Sequence, residues 1–247
     1  MISQSYAHDG FVRLPGFLDG SAVSEVSVQL DRVVRDVVPA MPSEHVFYEN
    51  KDDPSTLKQL QYLNQHDEWF GELFQKGSFR RLAEELLRGP VVPKNFQYFN
   101  KPPGVGMPTP PHQDGYYFKL APCEAVTMWL ALDHVDRVNG CVRYVRGSHD
   151  LGMREHGRTR TLGFSQGIVD FPQKNDRLAE VPCPAEPGDL LAHDALTIHW
   201  ADGNRSQTRS RRALGLIYYS ERAQEDSAAH AAYQQRLAED LRREGKI

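Results

Sequence analysis

The 247-residue chain predicts an α+β fold in which helices cover an antiparallel β-sandwich or barrel. Helical periodicity dominates the first third, and short β-like runs punctuated by Gly, Pro and Asn dominate the rest. The length suits one large β-rich domain or two small ones; no internal repeat is found, and residues 1–247 are read as a single domain.

The first helix is expected over residues 22–38 with Ser21 as its N-cap. Val23, Val26, Leu30, Val33 and Val37 share one face, and Pro39 and Pro42 end it. A second helical region is expected over 66–88. Trp69, Phe70, Leu73 and Phe74 form one apolar stripe, Phe79, Leu82, Ala83 and Leu86 another, and Gly89-Pro90 is the stop. Strands follow over 91–99, 125–132, 141–145, 189–192 and 213–219. Turn signals separate them, as in Lys101-Pro102-Pro103-Gly104, Val138-Asn139-Gly140 and Pro187-Gly188-Asp189. Residues 223–243 return to helical composition. Leu237 and Leu241 lie four apart in a polar segment, the pattern of a surface helix.

A net charge of −4 argues against a nucleic-acid binder. The three cysteines, Cys123, Cys141 and Cys183, match no zinc or disulfide spacing, which fits a reducing compartment. No secretory signal opens the chain, and no apolar run is long enough to span a bilayer. A soluble, cytoplasmic protein is expected. No feature specifies an oligomeric state.

His112-Gln113-Asp114 is the most informative stretch. On a strand, residues i and i+2 share a face, so His112 and Asp114 can reach one metal ion, and His199 completes two imidazoles and a carboxylate. That set is the facial triad of non-haem Fe(II) oxygenases, which leaves sites for an organic co-substrate and O₂. A lone H-x-D is weak: His134-Val135-Asp136 is another, but it sits in a charged stretch before Asn139-Gly140 and reads as a turn. His193 is a second histidine to weigh against His199, and its neighbour Asp194 offers it a hydrogen-bond partner. The same ligands suit a catalytic zinc hydrolase, or a non-catalytic jelly-roll binding protein that has kept them.

Several blocks occur in a recognisable order: His8-Asp9-Gly10-Phe11-Val12-Arg13-Leu14-Pro15-Gly16-Phe17-Leu18, His112-Gln113-Asp114, Met128-Trp129-Leu130, Asn139-Gly140-Cys141, Arg146-Gly147-Ser148-His149, Gly188-Asp189-Leu190, His199, and Arg211-Arg212-Ala213-Leu214. Together they resemble the phytanoyl-CoA dioxygenase family of Fe(II)/2-oxoglutarate oxygenases. The resemblance implies a double-stranded β-helix, a cupin-like jelly roll, with flanking N- and C-terminal helices. It implies iron ligation by His112, Asp114 and His199, and pairing of Arg211 with the distal carboxylate of 2-oxoglutarate. Arg212 should point to the opposite face of the strand. Lys58, Gln97 and Trp129 are further candidates for the co-substrate pocket. No catalytic group is expected beyond the metal ligands.

Two departures from the family pattern stand out. His199-Trp200-Ala201 replaces the usual His-Gly-Ser, and the interval from His199 to Arg211 is one residue longer. The implied activity is hydroxylation of a small molecule with release of succinate and CO₂. Asp114 fills the position that halogenating relatives leave to a small residue. His45, Tyr48, Tyr116, Tyr117 and Arg146 are candidates to face a small substrate carrying an anionic group.

Overall fold

The computed structural model describes residues 2–161 and 164–228, together with residues 231, 232, 235, 239 and 243. Alternation along the longest strands sets its layers. In β14 (Ala213–Ser220), Leu214, Leu216 and Tyr218 turn outward, while Gly215, Ile217 and Tyr219 turn inward, and the whole strand is buried. In β7 (Ala125–Ala131), Val126, Met128 and Leu130 turn outward, while Thr127 and Trp129 turn inward. A strand buried on both faces must lie between two layers.

The larger sheet has seven strands. Its order is β1 (Phe11–Leu14), β12 (Leu190–Asp194), β7, β14, β4 (Val91–Phe99), β3 (Leu57–Leu60) and β2 (Val46–Tyr48). The smaller sheet orders β11 (Glu180–Cys183), β8 (Val142–Val145), β13 (His199–Ala201) and β5 (Thr109–His112). Pairing is antiparallel throughout both sheets. Phe11, Trp129 and Leu191 of the larger sheet pack with Val142, Tyr144 and Cys183 of the smaller. Two further two-stranded ribbons pair β9 (His156–Thr161) with β10 (Phe164–Ile168), and β6 (Leu120–Ala121) with β15 (Gln224–Glu225). This is the double-stranded β-helix.

Helices cover the outer face of the larger sheet. Tyr6 of α1 (Ile2–Asp9), Val26, Leu30 and Val33 of α2 (Gly20–Asp36), Phe70 and Phe74 of α4 (Glu68–Gln75), and Phe79 and Leu82 of α5 (Ser78–Leu86) join one core with the outward strand residues. Phe96 meets Phe70 edge-on at 5.3 Å and Phe74 at 5.4 Å. Burying so many large apolar groups is the main force holding the helices to the sheet.

Several expectations need correction. Asp19, not Ser21, caps α2: its carboxylate accepts from the Ala22 amide at 2.9 Å, and the Ser21 hydroxyl donates to the same oxygen. The region 66–88 is two helices, α4 and α5, because α3 (Leu63–His66) ends where the region begins and the chain breaks again at Gly77, whose φ of 90° stops helical propagation. At the end of α5 the left-handed residue is Arg88, just ahead of the expected Gly89. The N-terminal third is not purely helical, since β1, β2 and β3 join the larger sheet. Leu237 and Leu241 lie outside the described residues. Among the described residues no helix is long and apolar enough to cross a membrane.

Candidate active site

β5 lies at the edge of the smaller sheet, where Pro110 and Pro111 remove no needed ladder bond. The strand ends at His112. Asp114 is not on it: at φ −59°, ψ −35° it opens the short helix α6 (Gly115–Phe118). The two side chains therefore converge through a strand-to-helix turn rather than through strand alternation. Gln113 pins that turn, its side-chain amide donating to Gly152 O at 2.9 Å and Leu196 O at 2.7 Å. Across the ladder His199 pairs with His112, and the two rings lie 4.1 Å apart.

Asp114 Oδ1 is 3.4 Å from His112 Nε2 and 3.7 Å from His199 Nε2. One ligand atom from each residue lies within 4.8 Å of the others, and no other such group occurs among the described residues. A carbonyl can only accept, so His112 Nδ1–H donates to Pro110 O at 2.8 Å and His199 Nδ1–H to Thr197 O at 3.0 Å. Both Nε2 lone pairs are thereby left for a shared cation. Asp114 Oδ2 accepts from Thr127 Oγ1 at 2.6 Å and His193 Nε2 at 3.2 Å, and Tyr144 OH lies 3.0 Å from His193 Nδ1. The partner of His193 is thus Asp114 rather than Asp194.

Burial pushes the Asp114 carboxyl up, but His199, His112 and His193 outweigh it and hold the group well below the usual range. Burial, then His112 and His193, holds His199 well below its ordinary value. A carboxylate beside neutral imidazole is the state a divalent cation needs, and two nitrogens with one oxygen fit Fe(II).

A cavity of about 280 Å³ extends from this group along the inner face of the larger sheet. Strand register orders its walls. Thr127 and Ile217, beside Asp114, form the middle row; Trp129, Gly215 and Gln97 the next; and Arg211 lies beyond, past Ala213 and Phe99. Arg211 is buried, its guanidinium carbon lies 5.3 Å from the centre of the Trp129 ring, and its Nε has no hydrogen-bond partner. Among the described residues it has no carboxylate partner. Burial pushes its pKa down to about 10. Arg212 faces away and grips Asp133 through Nη2 at 2.8 Å and Nε at 3.1 Å. Lys58 and Gln97 line the same end as Arg211. Lys58 pairs with Glu49 at 3.3 Å, and Gln97 Oε1 accepts from Gln59 Nε2 at 3.2 Å.

At the opposite end Tyr62, Asn95, Tyr219, Lys94 and Glu225 line the cavity, and Lys94 pairs with Glu225 at 2.7 Å. Tyr117 also lines it, with its hydroxyl donating to Gln166 O at 2.6 Å. Other substrate candidates are elsewhere. The α6 turn sends Tyr116 away from Tyr117 to stack on His156 at 4.4 Å. Arg146 is exposed beside Asp9, at 3.5 Å. His45 bonds His66 at 2.9 Å, and Tyr48 packs on the outer core. Sequence reasoning passed over Lys94, Glu225, Thr127 and Lys101. Lys101 sits in a Pro-Gly stretch that signals only a turn, and none of the four belongs to a spaced motif.

A jelly roll carrying two histidines and one carboxylate with open positions has the ligand set of a non-haem Fe(II) oxygenase. The model of the phytanoyl-CoA dioxygenase (PhyH) family matches residues 6–213, and the chain belongs to that family. Peroxisomal phytanoyl-CoA dioxygenase of Bos taurus is 33% identical over 132 residues, covering 50% of this chain and 38% of that protein. The Rattus norvegicus enzyme of the same name is 26% identical over 242 residues, covering 87% of this chain and 66% of that protein. The chain thus spans less than two thirds of the length of these relatives. The crystal structure of EvdO2 from Micromonospora carbonacea var. aurantiaca, complexed with 2-oxoglutarate, superposes with a TM-score of 0.71 at 25% identity, covering 91% of both chains.

Proposed function

We propose that this protein is an Fe(II)- and 2-oxoglutarate-dependent dioxygenase that hydroxylates a C–H bond of a small molecule, with release of succinate and CO₂. The observation that carries this reading is the pair of oriented Nε2 atoms and the Asp114 carboxylate, set in one cavity with a buried arginine that has no carboxylate partner among the described residues. Bound Fe(II) supplies the dioxygen-activating redox chemistry.

The chain's own residues do the rest. His112, Asp114 and His199 hold the metal, and Thr127 and His193 fix the Asp114 rotamer. Arg211 takes the distal carboxylate of 2-oxoglutarate, because a guanidinium fork in a dry pocket binds a carboxylate in two-pronged fashion. Trp129 walls that end, Gln97 offers its amide, and Lys58, paired with Glu49, lines the wall beside them. The buried sheet face keeps bulk water from the reacting atoms. The substrate enters beside Tyr117, Tyr62, Tyr219 and Lys94, where an anionic group competes with Glu225 for the Lys94 ammonium. With Asp114 occupying the third ligand position, the product is hydroxylated rather than halogenated. The chain works as one domain in the cytoplasm.

The test is a screen of small acids that measures succinate formation with Fe(II), ascorbate and O₂ present. Small polar acids should stimulate turnover more than lipidic thioesters. Before that, adding 2-oxoglutarate to the anaerobic Fe(II) protein should give a visible charge-transfer band. Absence of the band together with absence of succinate would leave a binding protein or a zinc hydrolase.

A further inference from the structure

We propose that Lys101 is a second binding residue for the distal carboxylate of 2-oxoglutarate, sharing that carboxylate with Arg211; this rests on the function proposed above. Lys101 N–H donates to Arg211 O and Arg211 N–H to Lys101 O, both at 3.2 Å. Residues that exchange both backbone bonds across an antiparallel pair send their side chains to the same face as direct neighbours. Both side chains line the cavity.

Lys101 is only 4% exposed, and its stem is channelled by backbone. A Cβ built on Gly106 would stand 2.7 Å from Lys101 Cβ, and one on Gly140 would stand 3.1 Å from its Cδ. The ammonium has three donors. Two go to neutral acceptors, Met107 O and, at 3.3 Å, Thr109 Oγ1. Among the described residues the third has no partner, and none of their carboxylates lies within ion-pair distance of the ammonium. Lys58 differs, because Glu49 already balances it.

Two like charges directly opposite each other in a buried site repel. Burial, then Arg211 and Lys58, pushes the Lys101 ammonium well below its ordinary range. One carboxylate set between Arg211 and Lys101 would satisfy the idle Lys101 donor and the idle Arg211 Nε together. The co-substrate brings such a carboxylate to this end of the cavity, and 2-oxovalerate, the same 2-oxo acid with a methyl group in place of it, does not.

The experiment is calorimetry of 2-oxoglutarate and 2-oxovalerate binding to the anaerobic Fe(II)-loaded full chain, for wild type and Lys101→Met. The expected result is a wild type that prefers 2-oxoglutarate, and a variant whose preference drops at least tenfold while 2-oxovalerate affinity stays level. An unchanged preference, or an equal loss for both acids, overturns the proposal and leaves Lys101 as a staple for the loop before β5. Should Lys101→Met fail to fold, Lys101→Gln takes the same measurement, since it keeps a donor for Met107 O and Thr109 without the charge. A wild type that binds neither acid overturns the dioxygenase reading itself, a result distinct from wild-type preference that survives in the variant.

Discussion

Arg211 and Arg212 are adjacent in sequence and opposite in fate. Strand alternation turns one into the cavity and the other onto Asp133. Arg211→Gln should raise the KM for 2-oxoglutarate on the order of 100-fold, since it removes one partner of a buried charged pair. Arg212→Gln should leave KM unchanged and cost less than about 1 kcal/mol of stability, because the Asp133 pair is partly exposed. Equal effects of the two variants on KM would show that Arg211 does not bind the distal carboxylate. The metal group separates in the same way. Asp114→Ala should abolish Fe(II)-dependent 2-oxoglutarate turnover, and retention of full turnover would remove Asp114 from the ligand set. His193→Leu keeps the three ligands but removes a hydrogen bond that orients Asp114. Its metal affinity, measured by competition with a chelator, should fall about 10- to 100-fold. Unchanged affinity would mean that Thr127 alone fixes the carboxylate.

At the scale of elements, the start of α2 separates two neighbouring candidates. Asp19→Ala should lower the midpoint of denaturant unfolding, because the Ala22 amide loses its acceptor. Ser21→Ala should be close to neutral, since its hydroxyl only donates to Asp19. The reverse ranking would restore Ser21 as the cap. The same contrast explains what was legible in the sequence. Strands β7 and β14 run seven and eight residues and are buried throughout, so their apolar runs stood out between turn signals, while β4 stood out by its nine-residue length between Gly89-Pro90 and the turn at Lys101. Strands β1, β2, β3, β5 and β13 run only three or four residues, too short for a period to declare itself. The expected strand through His112 and Asp114 is instead β5, Thr109-Pro110-Pro111-His112, which stops before Asp114 and tolerates two prolines by its edge position. The metal group was legible because motif order pointed to His112, Asp114 and His199. The turn that aims Asp114 was not, since the Gln113 contacts that set it come from Gly152 and Leu196, far along the chain.

At the scale of the molecule, two sheets bring His112, His199 and Arg211 to one cavity, and the helical layer reaches that cavity through Tyr62. Tyr62 lines the cavity while its ring lies 4.8 Å from His45, which bonds His66. Burial, then the neighbouring His66, holds His45 below its ordinary value, with Glu44 opposing. In the unfolded chain His45 takes its proton near about pH 6.5. Below that pH the unfolded state binds more protons than the folded one, so stability from this group is present above about pH 6.5 and lost as pH falls toward the folded value. The thermal midpoint of the full chain should therefore drop between about pH 7 and 5.5, and His45→Gln should drop less steeply over the same interval. A His45→Gln midpoint that falls as steeply as wild type would assign the acid sensitivity to other groups and sever this corner of the fold from it.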